Sequence, residues 1–197
     1  MHDEALAAIL DELHRDGREH DAGKADRLDR LRNLEPDTAR VLSLLVRALR
    51  PSHVLELGTS NGYSTLWLAD AAREINGSVV TAESAEFKIG LASANFARAG
   101  LSPYVTLVHG DAVRLLEHTE PSAYDLIFLD SDRAEYPGWW PHVRRALRPG
   151  GLLVADNATS HIEEMAPLIA LVTADPDFTT CLVPVGNGEF LAVKNSS

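Results

Sequence analysis

The chain has 197 residues, a formal net charge of −11 and a single cysteine. This length predicts one domain with a self-sufficient core, and a lone cysteine excludes an internal disulfide framework, as is typical of a cytoplasmic protein. The acidic charge disfavours a nucleic-acid partner, because phosphate binding requires clustered Lys and Arg. The sequence shows neither a signal-peptide pattern nor an apolar run near the roughly 18 residues of a membrane span, so no membrane association is expected.

The first 50 residues show only helical periodicity. Apolar side chains recur at helical spacing in two segments, at Leu6, Ile9, Leu10 and Leu13 and again at Val41, Leu42, Leu44, Leu45, Ala48 and Leu49. The polar stretch 16–26 between them is predicted to be a loop or a loosely held helix, and Pro36 suits the first turn of a third helix. Residues 1–50 are therefore predicted to form a helical N-terminal extension of the same domain.

From residue 52 onward, strand patterns alternate with helical patterns. Strands are predicted at 53–57, 78–83, 104–108, 124–130 and 152–156, and helices at 65–75, 86–99, 112–118, 136–147 and 162–173. Two more strands, 181–185 and 189–194, flank Gly186-Asn187-Gly188, which is a hairpin signal. Alternating strands and helices require a mostly parallel sheet covered on both faces. The predicted fold is α/β, a single doubly wound, mostly parallel seven-stranded sheet with an antiparallel C-terminal hairpin.

Polar residues follow every predicted strand of the parallel sheet. In open sheets of this kind, ligands bind outside the carboxyl ends of the strands. The residues expected there are Glu56, Gly58, Gly62 and Ser64 after the first strand, Glu83 and Ser84 after the second, Gly110 and Asp111 after the third, Asp130, Ser131, Asp132 and Arg133 after the fourth, and Asp156 and Asn157 after the fifth. This concentration predicts one ligand site at that edge of the sheet.

The first strand-to-helix turn differs from a dinucleotide site. Its spacing is Glu56-x-Gly58-x-x-x-Gly62, whereas pyrophosphate binding uses Gly-x-Gly-x-x-Gly. A carboxylate at this point repels pyrophosphate but accepts a hydrogen bond from an ammonium group. The glycines let the backbone approach a ligand, and Ser64 could bind a carboxylate. The pattern favours an amino-acid-bearing cofactor such as S-adenosylmethionine over NAD, and Glu83 is placed to bind two ribose hydroxyls in either case.

Asp130, Asp156 and Asn157 form a second set of candidate ligands. Two carboxylates and an amide oxygen are hard oxygen donors that suit Mg²⁺. A bare pair of buried acids would raise each other's pKa, so a cation is their natural partner. Ordinary capping of the strand ends by Asp and Asn is the alternative interpretation.

Three ordered segments, residues 54–65, 128–133 and 153–157, resemble the catechol and caffeoyl-CoA O-methyltransferases and their small bacterial relatives. These are class I S-adenosylmethionine-dependent enzymes, and the similarity runs from about residue 34 to the C-terminus. The resemblance implies methyl transfer to a small hydroxylated, catechol-like molecule, with residues 51–197 as the S-adenosylmethionine-binding domain. It also implies a divalent cation, usually Mg²⁺, and favours a homodimer.

The resemblance implies roles for individual residues. The cofactor-binding set is Glu56, Gly58, Tyr63 and Ser64 at the methionine end, Glu83 at the ribose, and Asp111 and Ala112 near the adenine, with Ser60, Gly62, Ser84 and Asp130 completing it. The cation would be held by Asp130, Asp156 and Asn157. It would lower the pKa of a substrate hydroxyl and aim the oxygen at the sulfonium methyl group.

One position departs from the family pattern. The family often has a lysine, its proposed general base, where this chain has Arg133, and arginine stays protonated because its pKa exceeds roughly 12. Arg133 then either stabilises a phenolate or substrate carboxylate, or is structural and paired with Asp132 or Glu135. Alternatively, the base is Asp132 or His161, since histidine titrates near neutrality. The catalytic candidates are Asp130, Asp132, Arg133 and His161, and these alternatives stay open.

Three other functions are compatible with parts of this pattern. The family includes methyltransferases of hydroxylated tRNA bases, which the acidic charge disfavours, and a nicotinamide-dependent reductase is disfavoured by the glycine spacing. A catalytically impaired S-adenosylmethionine-binding protein is the non-enzymatic alternative. Trp139 and Trp140 either form a wall for an aromatic substrate or belong to the core.

Overall fold

A computed structural model describes residues 4–26 and 28–196 of the chain. Its helices are α1 (Glu4–Ala22), α2 (Pro36–Leu49), α3 (Tyr63–Arg73), α4 (Glu86–Arg98), α5 (Ala112–His118), α6 (Tyr136–Ala146) and α7 (Ile162–Thr173). Its strands are β1 (His53–Leu57), β2 (Ser78–Glu83), β3 (Val105–His109), β4 (Tyr124–Leu129), β5 (Leu147–Ala155), β6 (Phe178–Val183) and β7 (Glu189–Lys194). Short 3₁₀ turns cover Ser102–Tyr104 and Arg133–Glu135.

The strands form one seven-stranded sheet in the order β3-β2-β1-β4-β5-β7-β6. Strands β1 to β5 run parallel to one another, whereas β7 pairs antiparallel with both β5 and β6. The predicted fold class is thus confirmed, and the hairpin places β7 inside the sheet and β6 at its edge. Because the strand order reverses between β1 and β4, a crevice opens at the carboxyl ends of these two strands.

Helices cover the sheet on both faces, and two apolar clusters result. One lies between the sheet and α1 to α4, and the other lies between the sheet and α5 to α7. Along β4, Leu126 and Phe128 belong to the first cluster, while Ile127 and Leu129 belong to the second. Burial on both faces explains why the central strands are continuously apolar rather than alternating. None of the helices in the described ranges is long and apolar enough to cross a membrane.

Residues 16–26, predicted to be a loop or a loosely held helix, divide between the two: residues 16–22 continue α1, and residues 23–26 lie outside the helix. Helix α1 continues to Ala22, so the described part of the first 50 residues holds two helices rather than three, and Pro36 opens the second. Residues 28–34 contact this helix at two points: the Asn33 side-chain amide donates to the Leu13 carbonyl at 2.7 Å, and the His20 Nε2 lies 2.9 Å from the Asp29 carbonyl oxygen. Over residues 16–22 the polarity therefore marks an exposed helix face.

The C-terminal hairpin also differs in detail from the prediction. Strand β6 begins three residues earlier than expected, because Phe178 packs against Trp140 with ring centroids 4.9 Å apart. The loop after it, residues 184–188, supports the turn that follows β5. The Asn187 carbonyl accepts the backbone N–H groups of Thr159 and Ser160, both at 3.0 Å. The hairpin thereby fixes the turn that carries Asp156 and Asn157.

Candidate active site

A cleft of about 750 Å³ lies at the carboxyl ends of the parallel strands. Most of the predicted site residues line it, namely Gly58, Ser60, Tyr63, Ser64, Glu83, Ser84, Asp111, Ala112, Asp130, Asp132, Arg133, Asp156, Asn157 and His161. Trp139 also lines the cleft, and it belongs at the same time to the apolar cluster between the sheet and α5 to α7. Trp140 belongs to the core. The expectation that the strand ends converge on one site matches this geometry.

Glu56 lies beneath the cleft and not on its surface. The side chain is fully buried on β1, and its Oε2 accepts the hydroxyls of Thr81, at 2.6 Å, and of Thr65. Its Oε1 has no hydrogen-bond partner among the described residues. Burial raises the pKa of Glu56 to about 7, against the lowering effect of hydroxyls including that of Ser64. An ionisable carboxyl group with one unsatisfied oxygen therefore lies behind the first turn.

Gly62, which was expected to let the backbone approach a ligand, is not among the residues that line the cleft, although its neighbours Asn61 and Tyr63 are. Its φ is +85°, and a Cβ there would lie 2.5 Å from the Phe96 ring on α4. The glycine therefore permits close packing of α4 against the start of α3. Gly58, with φ +112°, does line the cleft, and a Cβ there would collide with the Asp130 carbonyl oxygen at the end of β4.

Gly58→Ala is expected to lower the free energy of unfolding by about 2–5 kcal/mol and to weaken S-adenosylhomocysteine binding. The left-handed backbone costs an L-residue about 1–2 kcal/mol, and the clash with the Asp130 backbone adds an overpacking term of about 1–3 kcal/mol. Urea unfolding and calorimetric titration measure the two effects. Gly90→Ala on α4 is the matched control because a Cβ there meets no atom within 4 Å; equal losses in both variants would contradict the explanation.

Backbone N–H groups fix the Glu83 carboxylate at the end of β2. Its oxygens accept the N–H groups of Ser60 at 2.9 Å, Ser84 at 3.0 Å and Ala85 at 2.9 Å. A carboxylate has about four acceptor sites, so the group stays able to accept hydroxyls from the cleft. Asp111 caps α5 by accepting the Val113 N–H at 2.9 Å. Asp111 and the first turn of α5 therefore lie at the same end of the cleft as Glu83.

Asp130 and Asp156 lie side by side at the ends of β4 and β5. Burial and the neighbouring Asp156 carboxylate raise the pKa of Asp130 well above its ordinary value, and burial likewise raises the pKa of Asp156. Asp156 is only 4% exposed, and its Oδ2 accepts the Asn157 side-chain amide at 2.7 Å. Its Oδ1 lacks a hydrogen-bond partner within the described part of the chain. An orphaned carboxylate oxygen and two mutually repelling acids fit a cation partner.

A metal site made of acids and histidines alone is not present in the described ranges. No group of three or more His, Cys, Asp and Glu side chains among residues 4–26 and 28–196 is arranged to hold a metal ion. The set predicted from the sequence is of another kind, with two carboxylates and the amide oxygen of Asn157. That residue adopts φ +70° and its Oδ1 lies 3.3 Å from the Ser160 hydroxyl, a contact at the long limit of a hydrogen bond.

Glu189 was missed in the sequence. It is fully buried at the start of β7, directly across from Asp156, because Ala155 pairs with Phe190 in the antiparallel register. Neither of its carboxylate oxygens has a hydrogen-bond partner in the part of the chain that is described. Burial, with the adjacent Asp156 carboxyl, raises the pKa of Glu189 to about 11. An antiparallel strand begins where its parallel neighbours end, and this rule could have placed Glu189 at the site.

Arg133 is paired, but with a residue that the sequence did not suggest. Its guanidinium is 4% exposed and contacts the Glu164 carboxylate through Nε and Nη2, both at 2.9 Å. Asp132 instead accepts the Ala134 N–H at 3.2 Å. His161 precedes α7, lines the cleft and lies 2.8 Å through Nδ1 from the Ser160 hydroxyl. Arg133 is thus paired with a carboxylate, as one of the sequence-based alternatives expected. The partner is Glu164 on α7 and not Asp132 or Glu135.

Further lining residues come from parts of the chain that carried no motif. They are Leu28, Arg30, Leu31, Arg32, Asn33 and Leu34 before α2, Lys88 on α4 and Asn187 in the hairpin loop. The segment before α2 is remote in sequence from every strand end, and its composition is that of an ordinary polar connection. No local pattern could have identified it as a wall of the cleft.

A cleft at the strand-order reversal of a doubly wound sheet is the position where ligands, nucleotide cofactors among them, bind in open α/β folds. A family model described as O-methyltransferase matches residues 5–195. A catechol O-methyltransferase from Niastella koreensis is 37% identical over 128 residues, which cover 64% of this chain and 58% of the relative.

Solved structures agree with that match. An O-methyltransferase from Bacillus cereus in complex with SAH is 26% identical, with a TM-score of 0.80 over 95% of this chain and 91% of that one. The O-methyltransferase TomG from Streptomyces achromogenes, in complex with SAM, is also 26% identical, with a TM-score of 0.78 over 100% and 92%. The chain belongs to the O-methyltransferase family, as its motifs predicted, and is an S-adenosylmethionine-dependent O-methyltransferase.

Proposed function

We propose that this enzyme transfers the methyl group of S-adenosylmethionine to a hydroxyl of a small, catechol-like acceptor with the help of a divalent cation. The observation that carries the proposal is the convergence, in one cleft, of the turn after β1, the Glu83 carboxylate and the paired acids Asp130 and Asp156. One end of the cleft thus has groups for a nucleoside, and the other has groups for a cation and a hydroxyl.

The donor would lie between the turn after β1 and the end of β2. Ser64 and Tyr63 line the cleft where the methionine end is expected, above the buried Glu56 carboxyl. Glu83 is held by three backbone N–H groups and has acceptor capacity left for ribose hydroxyls. Asp111 and Ala112 line the far end, where the adenine is expected.

S-adenosylhomocysteine binding is expected to weaken roughly tenfold between about pH 8 and pH 6. The pKa of Glu56 is about 7. Its carboxyl lies beneath the floor of the cleft, and an ammonium group above the floor is attracted more strongly by the ionised carboxylate than by the neutral acid, so affinity falls as protons occupy Glu56. Calorimetric titration across this range measures the effect. Glu56→Gln should flatten the dependence, with the exposed Glu117→Gln as control, and parallel pH curves for wild type and Glu56→Gln would refute the role.

The acceptor end of the cleft would be formed by Asp130, Asp156 and Asn157, which would hold the cation. When bound, a divalent cation supplies Lewis-acid chemistry that lowers the pKa of a substrate hydroxyl. The chain's own residues keep the acceptor oxygen close to the methyl group, the main source of rate in a displacement between two bound reactants. Arg133, bonded to Glu164, would add positive charge near a phenolate, and Asp132 and His161 are the candidate proton acceptors.

Two measurements test the proposal. Titration with S-adenosylhomocysteine and with NADH should give binding of the former only, and tight NADH binding would refute the donor assignment. Product analysis with a panel of catechols, with and without EDTA, tests the acceptor and the cation. If methylated catechol is no longer formed in EDTA and is formed again after Mg²⁺ is added, the result supports both the acceptor and the cation. Turnover unchanged by EDTA would remove the cation from the mechanism.

Two further expectations stay predictions. A cytoplasmic location rests on the single cysteine, Cys181, which is exposed and free. A homodimer rests on the family resemblance and on the helical N-terminal region, which would need a partner surface, and analytical ultracentrifugation would test it.

A further inference from the structure

The loop of the C-terminal hairpin brings Asn187 to the acceptor end of the cleft. Asn187 lines the cleft, and its carbonyl accepts the Thr159 hydroxyl at 2.7 Å together with the backbone N–H groups of Thr159 and Ser160. These two residues lie in the turn between Asn157, a proposed cation ligand, and His161, a candidate proton acceptor. The printed order of the chain and these hydrogen bonds therefore place Asn187 beside the turn that supplies the acceptor end of the site.

The loop is held by backbone contacts that do not involve the Asn187 side chain. The Ala158 N–H donates to the Gly188 carbonyl at 2.7 Å. At Gly186 a Cβ would lie 2.3 Å from the Thr38 Oγ1, so the loop also packs closely against the start of α2. The backbone on both sides of Asn187 is thus fixed, and a change of its side chain leaves these contacts in place.

Turn chemistry does not account for an asparagine at this position. Asn-Gly is favoured in hairpin turns because asparagine tolerates a positive φ. Here the positive φ values belong to Gly186, at +54°, and Gly188, at +87°, and Asn187 is not among the described residues with a positive φ. Its side-chain amide has no hydrogen-bond partner within residues 4–26 and 28–196. The backbone therefore does not require this side chain, which leaves its identity open to a role in the cleft.

Neighbouring polar side chains at this end of the cleft are engaged with one another. The Asn157 amide donates to Asp156 at 2.7 Å, and the Arg133 guanidinium contacts Glu164 at 2.9 Å. Asn187, by contrast, keeps two N–H donors and an acceptor oxygen open toward a ligand, judged over the described part of the chain. An uncharged group with both donor and acceptor capacity thus lies next to the proposed cation site.

We infer that Asn187 determines acceptor specificity by hydrogen bonding to a neutral hydroxyl substituent of the acceptor, apart from the hydroxyl that is methylated. The inference rests on the proposed function, because it names the acceptor class of the same site. A hydroxyl both donates and accepts a hydrogen bond, which matches the amide. An anionic substituent would instead face the acids Asp130, Asp132 and Asp156, so a neutral polar group is the better complement of this end.

The test compares two acceptors of nearly the same shape. Hydroxymethylcatechol and ethylcatechol, both substituted para to one ring hydroxyl, differ by a hydroxyl in place of a methyl group. Each is titrated into protein saturated with S-adenosylhomocysteine and Mg²⁺, and the dissociation constant of ethylcatechol is divided by that of hydroxymethylcatechol. This ratio is expected to be about 3–10-fold larger in wild type than in Asn187→Leu, the factor that corresponds to one neutral hydrogen bond.

Three further variants separate hydrogen bonding from a structural role. Asn187→Asp keeps an oxygen that accepts the substituent hydroxyl and should retain the wild-type preference. Asn187→Ala should lower the ratio as Asn187→Leu does, and it replaces that variant if the larger side chain prevents folding. Ser93→Leu introduces the same leucine on the exposed face of α4, outside the cleft, and should leave the ratio unchanged.

Other outcomes identify the source of failure. An equal ratio in wild type, Asn187→Leu and Asn187→Ala overturns the inference. If the ratio persists in these variants while S-adenosylhomocysteine binding weakens, the amide serves the cofactor and the inference is likewise overturned. Turnover is measured on the same samples. A ratio that depends on Asn187 without methylation of either compound would refute the proposed function and leave the hydroxyl subsite standing, whereas methylation of both compounds with an unchanged ratio would do the reverse.

Discussion

Asp156→Asn is expected to lower methyl transfer to a catechol on the order of 10²–10³-fold, the size of effect that follows when one group of a preorganised electrostatic site is removed. Asp156 is nearly buried, and its Oδ1 lacks a hydrogen-bond partner within the described residues. Asparagine has the same shape but no charge, so a cation would lose one of its two proposed carboxylates. The substitution also removes a buried charge next to Asp130 and Glu189, and the protein should therefore stay folded.

Initial rates at saturating S-adenosylmethionine, taken over a range of Mg²⁺ concentrations and after EDTA, measure this effect. Wild type should lose activity in EDTA, and Asp156→Asn should lose little more because its cation site is already impaired. Asp16→Asn on the exposed face of α1 is a charge-matched control far from the cleft. A wild-type rate for Asp156→Asn would show that the paired acids do not take part in the reaction.

Glu189→Gln is expected to stabilise the metal-free protein, and to do so more strongly as the pH rises. The pKa of Glu189 is about 11 in the folded state, against about 4.3 for an unfolded glutamate. Between these values the folded protein holds a proton that the unfolded chain has released. Stability is therefore highest below the unfolded pKa and falls as pH rises, by about 1.4 kcal/mol per pH unit for one proton. Glutamine removes this loss because it never ionises.

Urea unfolding of both proteins at several pH values between 6 and about 9, in EDTA, measures the difference. The gap between Glu189→Gln and wild type should widen by several kcal/mol across this range, whereas Glu117→Gln, at an exposed position, should track wild type. Asp130, Asp156 and Glu56 also have raised pKa values, so wild-type stability alone is not diagnostic. If the unfolding free energies of wild type and Glu189→Gln change with pH in parallel, Glu189 ionises freely in the folded state and the prediction is wrong.

Much of the fold could be predicted because its signals are local. The apolar runs of β1 and β4 identify strands buried on both faces, and strands alternating with helices permit few topologies. The errors fell where tertiary contacts override local polarity. The end of α1 is held by the contact of His20 with the Asp29 carbonyl, and β6 begins at Phe178 because that ring packs on Trp140.

The candidate site was predictable to the extent that it follows from strand ends. The order of the sheet brings the backbone positions of Glu83, Asp130 and Asp156 to one edge, independently of how their side chains are oriented. All three residues line the cleft. Side-chain direction and long-range partners could not be predicted. Glu56 is turned beneath the floor, and Arg133 contacts Glu164, 31 positions away in the chain. Residues 28–34 reach the cleft with the help of contacts from Leu31 to Asp21 and Ser60, which no local pattern encodes.

A crystal structure with S-adenosylhomocysteine, a catechol and Mn²⁺ tests the account most directly. It should show the sulfur compound on the turn after β1, with Glu83 on its ribose hydroxyls. An anomalous Mn²⁺ peak should lie at about 2.1–2.2 Å from oxygens of Asp130, Asp156 and Asn157, with a catechol hydroxyl directed at the sulfur. A metal peak elsewhere, or a catechol oxygen remote from the sulfur, would contradict cation-assisted methyl transfer in this cleft.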